Sequence, residues 1–120
     1  MIDQLQQRFN QPGVRFFHRD QLVMVEMKNA HGSTVITTQG ATVLSYVPAG
    51  GREVLWVSDT ARYDGRKAVR GGIPICWPWF GPHPANPALP AHGFARQETW
   101  EVTDVTGDAD ETRATFRLEA

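Results

Sequence analysis

The sequence predicts an all-β fold, an antiparallel β-sandwich. Three observations carry that expectation. Short stretches of alternating apolar and polar residues recur along the chain, turn-forming residues separate them, and no window beyond the first dozen residues sustains a helical period. The exception is Asp3 to Phe9, where Asp3 is suited to N-cap a short helix with Leu5 and Phe9 at i and i+4 on one face. Asn10 and Pro12 end it. A helix this short depends on docking for its stability. Strands are expected at Val14 to His18, Leu22 to Lys28 and Thr34 to Thr37, joined by hairpin turns at Arg19-Asp20 and Asn29-Ala30-His31-Gly32. Val43 to Val47 follows, and Pro48-Ala49-Gly50-Gly51 turns it into a further strand at Glu53 to Val57.

The last strand pair is the clearest. Trp100, Val102 and Val105 alternate with polar residues, with a phase shift near Asp104 that reads as a bulge, and Gly107-Asp108-Ala109-Asp110 supplies the turn. Thr112, Ala114, Phe116 and Leu118 then share one face, with Arg113, Thr115, Arg117 and Glu119 on the other. No internal repeat, linker or low-complexity segment divides the chain.

Composition narrows the function classes. The 120 residues suit one domain, and 41% hydrophobic residues are enough for a core. A formal net charge of -1 with dispersed arginines argues against nucleic acid as a partner. The single cysteine, Cys76, rules out an intrachain disulfide and a Cys-rich zinc site, and suits a reducing compartment. No apolar stretch approaches membrane-spanning length, and the N-terminus has no signal-peptide pattern. A soluble cytoplasmic protein is expected, with no membrane partner.

The chemistry concentrates between residues 70 and 96. RGGIPICWPWFG and, after a Pro-rich stretch, LPAHGFAR bring together Arg70, Arg96, His92, Trp77, Trp79 and Phe80. Pro74, Pro78, Pro82, Pro84, Pro87 and Pro90 exclude regular helix here, so the segment must run as short extended pieces and turns. Alternation puts Trp77 and Trp79 on one face, so that rings from this run are divided between core and pocket lining. Gly71 and Gly72 suit either a close backbone approach to a ligand or a plain turn. Arg66 and Lys67 read as a solvated face. Cys76 reads as an inert core residue with no basic neighbour in sequence. His18, His31 and His83 lack metal-ligand spacing and are placed on turns.

The strings KAVRGGIPICWPWFGPH and LPAHGFARQETWEV, with the lead-in WVSDTARYDGRKAVRGG, resemble the hexose-6-phosphate mutarotases, the aldose 1-epimerase relatives also described as glucose-6-phosphate 1-epimerases. The resemblance covers the chain from about Gly13 onward. It implies a large galactose mutarotase-like supersandwich that interconverts the α and β anomers of a hexose 6-phosphate as a monomer, without metal or organic cofactor. It also implies that Arg70 and Arg96 contact the substrate phosphate, for which guanidinium offers bidentate, charge-assisted hydrogen bonds. His92 matches a histidine that contacts sugar hydroxyls as an auxiliary. Gly71, Gly72, Trp77, Trp79 and Phe80 are candidate pocket-lining residues.

Mutarotation needs a base to take the anomeric hydroxyl proton and an acid to protonate the ring oxygen. In the resembled family these are a glutamate and a histidine from later motifs that have no counterpart before Ala120. Family members are more than twice as long, and the chain ends on ATFRLEA, which still alternates as an unfinished strand. The expectation is therefore that residues 1–120 form a single partial domain, the N-terminal part of an isomerase of carbohydrate metabolism. On that reading the chain holds the binding motifs, lacks the catalytic pair and is inactive alone. The alternative is a non-catalytic carbohydrate-binding β-sandwich module. Two phosphate-grade cations count against it, because a neutral polysaccharide has no use for them.

Overall fold

A computed structural model describes residues 2–119. The elements run α1 (Ile2–Arg8), β1 (Val14–Arg19), β2 (Leu22–Asn29), β3 (Gly32–Thr37), β4 (Thr42–Pro48), β5 (Glu101–Gly107) and β6 (Thr112–Arg117). The first four strands form an antiparallel meander in the order β1-β2-β3-β4, and β5 pairs with β6 in a second sheet. The architecture is the all-β sandwich expected from the alternation.

Two apolar clusters explain why the meander is a sheet buried on both faces. On one side Val14 and Phe16 of β1 and Val25 of β2 pack with Phe9 and with Val102 and Val105 of β5, joined by Ala114 and Phe116 of β6. This cluster lies between the two sheets. On the other side Leu22 and Met24 of β2 and Leu44 of β4 pack with Tyr63 and Val69 from the long connection that follows β4. The period of two in β2 sends Met24 to one cluster and Val25 to its opposite, and both are fully buried. Each such burial contributes about 1.5–3 kcal/mol. The helix docks through Ile2, Leu5 and Phe9 onto the inter-sheet cluster.

Several expectations shift at their edges. The helix begins at Ile2, so Asp3 lies inside the first turn rather than at the N-cap, where its charge still favours the amide-rich end. The bulge expected near Asp104 is present, between Val102 and Asp104, and another interrupts β3 against β4 between Val35 and Ile36. His18 belongs to β1 rather than to a turn.

Glu53 to Val57 is not a strand. Val54 donates to the Tyr46 carbonyl at 3.0 Å and Val57 makes an isolated bridge to Gly71, but no ladder connects these points. The Glu53 carboxylate accepts from the Tyr46 amide at 2.8 Å and the Leu55 amide at 3.1 Å, and so occupies donors that a ladder would use. Between β4 and β5 the chain is held instead by bridges, Val43 to Ile73, Val57 to Gly71, Trp77 to Gly93 and Gln39 to Thr99. No helix among the described residues is long and apolar enough to cross a membrane.

Candidate functional site

The two motifs meet at Trp77 and Gly93. These residues form a parallel bridge, and the Trp77 carbonyl accepts from the Phe94 amide at 3.0 Å and the Ala95 amide at 3.1 Å. One turn outward the contact is reciprocal, since His92 N donates to the Gly81 carbonyl at 2.9 Å and Gly81 N donates to His92 Nδ1 at 3.0 Å. With Nδ1 serving as an acceptor, a neutral His92 carries its proton on Nε2 and presents that N–H as its donor. The Pro-rich residues between Gly81 and His92 form the tip of the clasp. His83 caps that tip, its Nδ1 accepting from the Ala85 and Asn86 amides at 3.0 and 2.9 Å.

The aromatic residues behave differently from a core. Trp77 and Trp79 lie in an irregular segment joined through a cis Trp77–Pro78 bond, not in a strand, and both pack edgewise on Phe94 at 5.6 and 6.3 Å between ring centroids. Neither belongs to a core cluster, and Trp77 is 46% exposed. Trp79 is anchored through its indole N–H to the Pro90 carbonyl at 2.9 Å. Phe80 is 80% exposed and lies 4.9 Å from the His92 ring. Cys76, expected in the core, is only partly buried, and lines a shallow cavity with Trp77, Ala95 and Trp100.

The motif arginines occupy different settings. Arg70 is exposed on a cavity of about 520 Å³ whose lining also includes Arg62, Arg66, Lys67, Thr60 and a single carboxylate, Asp64. Arg66 and Lys67 thus stand beside Arg70 in one cationic concavity, which favours an anion. Arg96 does not line it. Its Nη2 donates to the Ala91 carbonyl at 3.1 Å, and its buried Nε has no partner among the described residues. The space beside Gly71 and Gly72 is filled by the chain's own backbone, at Val57 and Val43 respectively.

Two features carried no sequence signal. Gln39 sits in Thr37-Thr38-Gln39-Gly40, which reads as a polar turn, yet it is 3% exposed and its amide reaches Lys67 and Gln97. The second is a cavity of about 660 Å³ against β4, lined by Arg19, Ser45, Glu53, Ser58 and Tyr63 among others. The Ser45 hydroxyl donates to Glu53 and, with the Tyr46 and Leu55 amides, holds its carboxyl below the ordinary carboxylate range. Arg19 lies over the Tyr63 ring at 4.2 Å. The β1–β4 meander, the turn after Pro48 and the bond from Gln21 N to the Tyr63 carbonyl bring these residues together.

The aldose 1-epimerase family profile matches residues 23–120. The chain belongs to the aldose 1-epimerase family. Among curated relatives it is 43% identical, over 82% of its own length, to a protein named "Putative glucose-6-phosphate 1-epimerase" from Escherichia coli strain K12. It is 40% identical over 84% of its length to a protein of the same name from Salmonella typhimurium. Among solved structures it superposes with a TM-score of 0.85 and 38% identity on the crystal structure of a "putative mutarotase" from Salmonella typhimurium, over 91% of this chain. It spans 33% and 34% of the length of the two relatives and 37% of the solved chain, about a third of an aldose 1-epimerase family protein.

Proposed function

We propose that the chain supplies the phosphate- and hydroxyl-binding part of a hexose-6-phosphate mutarotase, an isomerase that opens and recloses the sugar ring by acid-base chemistry. The observation that carries this reading is the clasp joining the two motifs, in which His92 is held through Nδ1 so that its Nε2 edge is free to meet a hydroxyl. The cations that a phosphosugar would use are the two motif arginines. Arg70 sits in a concavity with three further cationic residues, and Arg96 has its guanidinium fixed by Ala91. The exposed faces of Trp77 and Phe80 offer apolar surface beside His92 for the ring carbons of a sugar.

Ring opening requires an acid and a base flanking one sugar ring. No residue of the clasp is assigned those roles here; they fall to the portion of the relatives' length that this chain does not span. The chain alone is then a binder rather than a catalyst. The paired cationic residues favour this reading over a module for neutral polysaccharide. The test is a titration of isotopically labelled protein with glucose 6-phosphate and with glucose. Resonances of Arg70, His92 and Arg96 should move with the phosphosugar and stay in place with the free sugar. Equal responses to the two would refute the reading.

A further inference from the structure

We infer that Gln39 is a positioning residue that ties the Arg70 segment to the Arg96 segment and so fixes the backbone of one motif arginine relative to that of the other. This rests on the reading of both arginines as phosphate ligands. Residues Thr38 to Gly40 are bound to the chain beyond Arg96 through the backbone. Trp100 N donates to the Thr38 carbonyl at 2.8 Å and Gly40 N to the Glu98 carbonyl at 2.7 Å. From this fixed base the Gln39 side chain reaches sideways. Its Nε2 donates to the Lys67 carbonyl at 3.3 Å and the Gln97 carbonyl at 3.4 Å.

The two acceptors flank the arginines, Lys67 three residues before Arg70 and Gln97 directly after Arg96. Arg70 is pinned on its C-terminal side by other bonds, its carbonyl accepting from Ser58 and Gly72 N donating to Trp56. On its N-terminal side the buried Val69 and the Gln39 amide hold it. The orientation of that amide is forced. Turning it over would aim Oε1 at two carbonyl oxygens, and Oε1 in its present position is buried without a partner among the described residues. An amide that leaves its own oxygen unpaired in order to donate twice is there for the two donations.

The experiment uses the protein with Gln39→Met, which keeps the length and unbranched shape but cannot donate, and Gln39→Glu. Amide hydrogen exchange and titration with inorganic phosphate and glucose 6-phosphate are the readouts. In Gln39→Met the Val69 and Gln97 amides should exchange faster while the Asp108 amide of the β5–β6 turn is unchanged, and both ligands should bind about tenfold more weakly. Gln39→Glu should bind as weakly at neutral pH and recover at mildly acidic pH, where its protonated carboxyl can again donate one bond. The methionine variant should show no such recovery. That pH signature distinguishes positioning by hydrogen bonding from space filling, and it still decides the matter if the methionine variant does not fold.

Unchanged exchange and affinity in Gln39→Met, or a Gln39→Glu protein with no pH-dependent recovery, would overturn the inference. A wild-type protein that binds neither phosphate nor glucose 6-phosphate would instead remove the phosphosugar reading. The exchange rates of Val69 and Gln97 would then still show whether Gln39 joins the two segments.

Discussion

Gly93 and Gly81 have nearly the same backbone in different surroundings, with φ of 73° and 71°. A Cβ added at Gly93 would lie 2.1 Å from the Trp77 carbonyl oxygen and 2.3 Å from its carbon, whereas one added at Gly81 meets nothing within 4 Å. Gly81→Ala should therefore cost only the left-handed conformation, about 1–2 kcal/mol. Gly93→Ala carries that cost and also forces the Trp77 carbonyl back by more than an ångström, breaking its bonds from Phe94 and Ala95. Each of those bonds is worth about 0.5–1.5 kcal/mol net, so the expected total is about 2–5 kcal/mol. Urea unfolding of both variants, followed by tryptophan fluorescence, measures the difference. Gly93→Ala should also lose phosphosugar affinity, because Arg96 is held by Ala91 across this glycine. Equal destabilisation by the two substitutions would show that the close approach of the motifs at Trp77 does not organise the clasp.

Arg96→Ala should weaken glucose 6-phosphate binding by on the order of a few kcal/mol, and Arg96→Lys should restore only part because an ammonium lacks the planar fork; calorimetric titration measures both. A circular dichroism spectrum showing Arg96→Ala unfolded would make the residue structural instead. Polarimetry of freshly dissolved α-glucose 6-phosphate should show no acceleration by this chain beyond buffer, and rapid equilibration would place acid-base catalysis within it, with His92 the first candidate. The Glu53 carboxyl titrates below its ordinary range, so its contribution to stability is present above the ordinary carboxylate pKa and is lost as pH falls through the lowered value. Ser45→Ala removes the largest cause, and the Glu53 midpoint followed by carboxyl NMR should rise. An unmoved midpoint would show that the backbone amides alone hold it.

Much of the fold was legible because its strands obey a period of two. Val14 and Phe16, Leu22 and Met24, and Val102 and Val105 are buried where alternation and one bulge put them. The turns at Asp20 and at Ala30-His31 follow from local residue chemistry in the same way. The expectation failed at Glu53 to Val57, where the apolar pattern is present but a side-chain carboxylate takes the neighbouring amides. A strand requires a partner edge, and no window of sequence reports whether that edge is already occupied.

The chain by itself determined the two motifs, their order and the chemistry of Arg70, His92 and Arg96, because these depend on residue identity at short range. Tertiary structure alone decided how the motifs meet. The bridge between Trp77 and Gly93, the bond from Gly81 to His92 Nδ1, and the Gln39 amide between Lys67 and Gln97 join residues far apart in sequence. None of these contacts leaves a periodic trace. Each is a small set of hydrogen bonds made possible by close approach of segments outside the strands, and its existence depends on the fold that brings both partners to within hydrogen-bond reach.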